Sequence, residues 1–494
     1  MQFMNDTVQY YSWVDNAIID GRRFGEARYE SQRKGFIQVK AKAWRLYGAK
    51  DARLEDVELE GAGEDGVVVE IVTNTICLSD YKAVSLGTGH KRVPKDIATN
   101  PIMFGHEISG IVKEVGPKWA SQFSVGQRVC IQPAFNIPGH ELETMGYAWH
   151  SIGGETTHVY LPSIIMEMGC LLPYDGDAYF KCSLAEPISC IVSAFRTNYH
   201  HAFGSHVHEM GIENGGTMLL LAGCGAMGLG CIDIACHSPE KRPRRLVVTD
   251  IDDARLARAA KMFGLSFADG RARGDVNGVE VIFVNTKEWT DPVAQLKALN
   301  SDDPVDAANP TSTGGGYDDI FLFAAVPALI TQCSDLLAFG GCLNFFAGPT
   351  DQKLSAPFNF YNIHYMNHHI VANSGGDVKD MSDSVDWIGK GYLHPEVMIT
   401  HVGGLPSAAQ ATLDLPVVPG GKRLVYTHVD MPMVAIADFA EKGKTDPFYA
   451  ELDRLCSENS GLWCKAAEDY LLANAPKISI GEPTAKIVEC QIRL

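Results

Sequence analysis

Thr217-Met218-Leu219-Leu220-Leu221-Ala222-Gly223-Cys224-Gly225-Ala226-Met227-Gly228 is the stretch whose reading decides the fold. An unbroken apolar run of strand length meets a G-x-G-x-x-G loop, and a helical pattern follows. Leu246-Val-Val-Thr249-Asp250 then supplies a second strand that ends in a carboxylate, 22 residues beyond Gly228. Strand, glycine loop, helix, strand and acid in this order form the dinucleotide-binding fingerprint in its required context. Gly223 permits the tight turn, Gly225 lets backbone approach a pyrophosphate, and Gly228 allows helix and strand to pack closely. Ala226 and Met227 open the helix whose N-terminus faces the phosphates. Asp250 can hydrogen-bond ribose hydroxyls and repels a 2′-phosphate, which favours NAD(H) over NADP(H). Arg255, on the following helix, softens that preference.

Downstream, Val279–Val284, Tyr317–Phe323 and Gly341–Phe346 read as further strands, and Val326–Ala338 as a helix between two of them. These extend a doubly wound parallel sheet with right-handed crossovers. Ser301–Gly316 is a polar connector. His364, His368 and His369 cluster in sequence, but closeness along the chain proves little, and core or surface positions are expected rather than metal ligation.

Upstream the pattern is β-rich, with no long helical period before residue 180. Ile37, Val39, Ala41 and Ala43 alternate with Gln38, Lys40 and Lys42, which predicts a half-buried strand. Leu54–Val57 and Gly66–Val72 continue as strands. Cys77, Ser79, Asp80 and Lys82 follow the last of these. Phe104-Gly105-His106-Glu107 sets an imidazole beside a carboxylate, with Glu155 and Glu186 as distant partners. A thiolate, an imidazole and carboxylates are the donors a catalytic zinc ion takes while one position stays open. Ser79 can present a hydroxyl to the same cavity, and Asp80 can orient a ligating imidazole. A lone cysteine is more often a buried thiol, and Glu186 before Pro187 also reads as an ordinary helix-start charge.

Gly89-His90-Lys91-Arg92 is a compact basic cluster. Charge runs usually mark a solvated loop; a phosphate-binding loop is the sharper alternative. Residues 132–150 read as an irregular loop. Beyond residue 375 short strands return at Met398–Val402 and Lys422–Tyr426, and helical periods occupy Ala450–Leu455 and Leu462–Leu472.

Composition narrows the partners. The 494-residue chain is 46% hydrophobic and 21% charged, ordinary for a globular protein of two or three domains. Its formal net charge of −18 opposes nucleic acid or an anionic membrane as the main partner. No segment combines the length and apolarity of a membrane span, and no secretory signal is visible at the N-terminus. Thirteen cysteines without a C-x-x-C pair read as reduced thiols, hence a cytoplasmic location.

Together, Cys77-x-Ser79-Asp80, Gly105-His106-Glu107, Ala185-Glu186-Pro187 and Gly223–Gly228 resemble the zinc-dependent medium-chain dehydrogenase/reductase family. His90-Lys-Arg-Val-Pro94, Ala98-Thr-Asn-Pro101, Ile152-Gly-Gly-Glu155-Thr-Thr-His158, Asn344–Pro349, Phe358–Tyr361 and Gly420–Tyr426 look like its L-sorbose-1-phosphate reductase branch. The match runs from about Ala41 to Tyr426.

The resemblance implies an α/β chain in which a GroES-like β-rich catalytic domain carries an inserted Rossmann domain. The expected division is an N-terminal extension (1–35), a first catalytic part (36–195), an NAD-binding domain (196–375), a second catalytic part (376–430) and a C-terminal helical extension (431–494). One catalytic zinc on Cys77, His106 and Glu186 is implied, with Glu107 an occasional ligand; Glu155 then belongs to a strand motif. Relatives carry a four-cysteine lobe near the position of Cys130, which here stands alone, so no structural zinc is expected. Many relatives also end a proton relay on a histidine where this chain has Lys82; either solvent reaches Ser79 by another route, or Lys82 serves the relay or binds substrate phosphate.

The implied activity interconverts a ketose phosphate and a hexitol phosphate. Ser79 handles the proton, and His90, Lys91 and Arg92 are candidates for the phosphate. A neutral polyol is the alternative substrate, and a catalytically silent NAD-binding protein the alternative class. A homo-oligomer, dimer or tetramer, is expected.

Overall fold

The computed structural model describes residues 38–202, 204–300 and 315–481. The N-terminal extension and nearly all of the Ser301–Gly316 connector lie outside them.

The alternation near the start produces strand Gln38–Gly48, with Ala41 and Ala43 fully buried, paired antiparallel to Asp51–Glu60. Ile102–Met103 adds a third strand to this small sheet. A larger eight-stranded sheet has Val67–Ile76 near its centre, flanked by Glu107–Val115 and Lys422–Tyr426. Both neighbours run antiparallel to it, with Thr75 opposite Glu107 and Ile76 opposite Arg423. Three segments distant in sequence therefore end at one edge of one sheet. Residue 77, residues 106–107 and residue 422 all emerge there.

The second large sheet is the doubly wound one. Its order is Arg271–Val276, Val279–Asn285, Arg245–Asp250, Thr217–Leu221, Tyr317–Leu322, Leu337–Asn344 and His369–Val371. All neighbours pair in parallel except Arg271–Val276, which forms a hairpin with Val279–Asn285. Chain direction across the sheet reverses between Thr217–Leu221 and Tyr317–Leu322, the crevice where such sheets take a ligand. Every residue of Thr217–Leu221 is buried, as its continuous apolarity requires. At Gly228 a Cβ would lie 2.1 Å from the Gly223 carbonyl oxygen, so only glycine lets the helix Ala226–His237 seat on the loop.

Helix Leu78–Leu86 departs from the reading of a helix-poor opening. Its Leu78 and Leu86 are exposed while Asp80 is buried, the reverse of an amphipathic pattern, so periodicity does not reveal it.

The last described residues are built into the molecule. Val434–Ala435 pairs with Ile399–Gly404 at the edge of the eight-stranded sheet. Trp463, Phe439, Leu452 and Leu471 join the main hydrophobic core. Trp463 Nε1 donates to the Tyr426 hydroxyl (2.8 Å), which donates to Glu468 (2.9 Å). No helix among the described residues is long and apolar enough to cross a membrane.

Candidate active site

Where the three strand ends meet, Cys77 Sγ, a His106 ring nitrogen and a Glu107 carboxylate oxygen lie within 4.8 Å of one another. Glu186, in the first turn of helix Ala185–Thr197, places Oε1 4.0 Å from His106 Nε2. Gly105 holds φ at +89°, a left-handed value suited to glycine, and this turns the chain so that His106 leaves the strand toward Cys77. Asp80 Oδ1 is 2.8 Å from His106 Nδ1, which fixes the ring and leaves Nε2 toward Glu186. Asp80 Oδ2 also accepts the Cys77 amide (2.9 Å), so one carboxylate orients two members of the group.

A thiol, an imidazole and carboxylates converging in a buried pocket suit a zinc ion and leave room for a fourth donor. The two carboxylates are not equivalent. Both Glu107 oxygens are engaged, one by Lys422 Nζ and one by Thr75 Oγ1. Glu186 Oε1 has only Cys190 Sγ at 3.8 Å besides His106. Burial raises the Glu186 carboxyl to about 7, against the pull of His106. Burial alone would lower the Lys422 ammonium; Cys77 and Glu107 hold it above its ordinary value. Glu155 stands apart: its Oε1 accepts from Asn74 Nδ2 (2.8 Å), its Oε2 is buried without a partner, and burial raises its carboxyl well above the ordinary range.

Ser79 Oγ donates to Cys77 Sγ (3.1 Å) and lies 2.7 Å from the Tyr147 hydroxyl. Lys82 does not reach Ser79. Its Nζ crosses the cleft to the Gly348 carbonyl (2.9 Å), joining the catalytic side to the loop after strand Leu337–Asn344. His90 stacks on Tyr147 at 6.0 Å, and the Arg92 guanidinium lies 5.8 Å from the same ring's centroid. Burial lowers the His90 pKa, and so do Arg92, Lys91 and Lys82. No carboxylate pairs with Lys82, Lys91 or Arg92 among the described residues.

At the nucleotide end, a Cβ on Gly225 would meet nothing within 4 Å, so the loop faces open space where a pyrophosphate fits. Asp250 ends its strand and its Oδ1 accepts the amide of Ile251 (2.8 Å). Arg255 is exposed on helix Asp253–Met262. His364 and His369 are exposed or half-exposed and His368 is buried, all away from the Cys77 group.

Two site residues escaped sequence reading. Lys422 is an isolated lysine opening a short strand, and only the pairing of that strand with Val67–Ile76 aims it inward. Tyr147 sits in the 132–150 loop, whose irregular sequence carries no period.

The alcohol dehydrogenase GroES-like domain family matches residues 63–168. The chain is 45% identical over 428 residues to the mannitol-1-phosphate 5-dehydrogenase of Aliivibrio fischeri, covering 86% of this chain and 96% of that protein. It is 40% identical over 438 residues to the L-sorbose 1-phosphate reductase of Klebsiella pneumoniae, covering 88% and 98%. Among solved structures, the 2R,3R-butanediol dehydrogenase of Bacillus subtilis superposes with a TM-score of 0.61 at 21% identity, over 78% of this chain and 99% of that one.

Proposed function

The chain belongs to the zinc-dependent alcohol and polyol dehydrogenase family, and from that premise we propose that it interconverts a ketose phosphate and a hexitol phosphate. The observation that carries the phosphate is the group of three cations, Lys82, Lys91 and Arg92, with the His90 imidazole among them. It lacks carboxylate partners among the described residues of a chain of net charge −18, and its His90 and Arg92 lie one tyrosine ring from His106. Uncompensated basic groups beside a reaction centre suit a dianionic substrate.

Cys77, His106 and Glu186 would hold the zinc, with Glu107 an exchanging ligand kept back by Lys422 and Thr75. The single-zinc reading rests on Cys130, whose thiol faces the Leu172 carbonyl (3.9 Å) and the single thiol of Cys182 where relatives have a four-cysteine lobe. When bound, zinc supplies Lewis acidity that lowers the alcohol pKa, and the nicotinamide supplies or accepts the hydride. Ser79 Oγ would pass the substrate hydroxyl proton on during oxidation, accepting it as its own proton leaves toward solvent, and the same exchange would run backward during reduction. Lys82 bonded to Gly348 narrows the cleft and helps exclude water.

Gly223, Gly225, Ala226, Met227 and Gly228 cradle the pyrophosphate, and Asp250 selects the ribose of NAD(H), with Arg255 at its rim. The division into catalytic parts 36–195 and 376–430 and an NAD-binding domain 196–375 is supported by the membership of the two large sheets; the described part of 431–494 then packs as an addition to the catalytic side. Exposed Phe360, Tyr361, Tyr365 and Ile370 beside the last strand of the parallel sheet support a homo-oligomer. The twelve described cysteines, all free, support a reducing, cytoplasmic setting.

The test is steady-state kinetics on phosphorylated and free ketoses and hexitols, with both nicotinamides and with zinc counted on the same sample. A preference of about 100-fold in kcat/KM for the phosphate ester is expected from two charge-assisted hydrogen bonds. Equal efficiency on free and phosphorylated sugar overturns the substrate class.

A further inference from the structure

Tyr147 is 1% exposed, yet it touches Ser79, His106 and the basic loop of His90 and Arg92. Its hydroxyl is 2.7 Å from Ser79 Oγ and 2.8 Å from His106 Nδ1, and its ring centroid is 4.9 Å from that of His106. His90 and Arg92 pack against the same ring. The backbone fixes it there. Gly146 takes φ +80°, and a Cβ on it would lie 2.2 Å from the Gly105 carbonyl oxygen, so the loop carrying Tyr147 is pressed onto the turn carrying His106.

The hydrogen-bond directions are constrained. His106 Nδ1 has the Asp80 carboxylate at 2.8 Å and donates to it, so it does not accept from the phenol. Tyr147 donates to Ser79 Oγ at 2.7 Å, the shorter contact than the 3.2 Å to His106 Nε2, while the Ser79 proton points to Cys77 Sγ. Ser79 Oγ thus accepts one hydrogen bond and donates one, which leaves a second acceptor position for a substrate hydroxyl.

We propose that Tyr147 is a positioning and specificity-determining residue. Its hydroxyl fixes the Ser79 hydroxyl in the orientation that accepts a hydrogen bond from the substrate hydroxyl, and its ring is the platform against which His90 and Arg92 hold the substrate phosphate. The platform half rests on the sugar-phosphate reading; the positioning half does not.

The test uses zinc-loaded full-length enzyme. Tyr147→Phe removes one oxygen, and thermal melting and zinc content confirm that the fold and metal persist. Loss of one buried hydrogen bond to the proton acceptor is expected to lower kcat about 10- to 100-fold, with KM for the sugar phosphate unchanged. Combining Tyr147→Phe with Ser79→Ala is expected to add nothing to the loss from Ser79→Ala alone. Tyr147→Leu, which also removes the ring, is expected to weaken inhibition by inorganic phosphate about 10-fold or more, whereas Tyr147→Phe leaves it unchanged. A Tyr147→Phe kcat near wild type, or losses that multiply in the Ser79→Ala background, overturns the positioning role. Phosphate inhibition equal in Tyr147→Leu and wild type overturns the platform. If wild type itself shows neither phosphate inhibition nor preference for esters, the sugar-phosphate reading and the platform fall together, and Tyr147→Phe kinetics on a free polyol then decide the positioning role.

Discussion

Lys422 Nζ and the Glu107 carboxylate form an ion pair across 315 residues of chain, with 4% and 0% of their side chains exposed. Strand Val67–Ile76 lies between their strands and sets the register that joins them. A buried pair is worth little over an apolar substitute, but removing one partner strands the other charge. Lys422→Met should lower the stability of the metal-free protein by about 3–5 kcal/mol, read as a drop in the urea midpoint. Adding Glu107→Gln should recover more than half of that loss. If the two losses simply add, the groups are not coupled as the geometry requires.

The carboxylates near His106 should separate by metal content. Cys77→Ala and His106→Ala are expected to purify with less than about a tenth of the wild-type zinc, since each removes one of the three proposed ligands. Glu186→Gln should reduce zinc affinity about 10- to 100-fold. Glu155→Gln should keep full zinc and nearly full stability, because burial raises the Glu155 carboxyl and favours the neutral form that glutamine resembles, and its bond from Asn74 survives. Zinc loss from Glu155→Gln would place it among the ligands after all.

The legible parts of this molecule were those whose chemistry is local. Thr217–Gly228 and Leu246–Asp250 announce a parallel sheet because strand, loop and helix follow one another within a few dozen residues, and the observed strand order follows from that unit. Cys77, His106 and Glu186 were found by residue type and motif, and the fold brings them together. Tyr147 and Lys422 were hidden because their roles depend on packing between segments that share no pattern: Gly146 against Gly105, and one strand against a partner about 350 residues earlier. The same holds for Trp463 and Glu468, whose helical periods reveal a face but not what it covers.

Cofactor choice should turn on Asp250. It closes its strand beside the glycine loop, and its Oδ1 is occupied by the Ile251 amide, which orients the carboxylate. Hydrogen bonds from ribose hydroxyls to a carboxylate contribute about 1.5–3 kcal/mol. Asp250→Ser should therefore weaken NADH binding about 10- to 100-fold and narrow or reverse the preference over NADPH, with Arg255 and Arg258 nearby to receive a 2′-phosphate. Arg258 is suited to this because its Nε is buried without a hydrogen-bond partner. Fluorescence titration with both reduced cofactors measures it; unchanged selectivity would remove Asp250 from the role.

Stability should fall with rising pH through the titration of Glu468. Burial raises this carboxyl to about 7, although the amides of Tyr179 (2.8 Å) and Phe180 (3.0 Å) and the Tyr426 hydroxyl all donate to it and oppose the shift. The unfolded chain loses the proton near 4.5, so between 4.5 and 7 the folded state binds more protons than the unfolded one. Stability supplied by the protonated form is complete below 4.5 and is lost as pH rises through 7, by about 3 kcal/mol in all. Glu468→Gln cannot titrate. The difference in urea midpoint between wild type and Glu468→Gln, measured from pH 5 to pH 8, should therefore move steadily against wild type. A difference that is flat across that range would mean that Glu468 is ionised in the folded protein throughout, with the three donors outweighing burial.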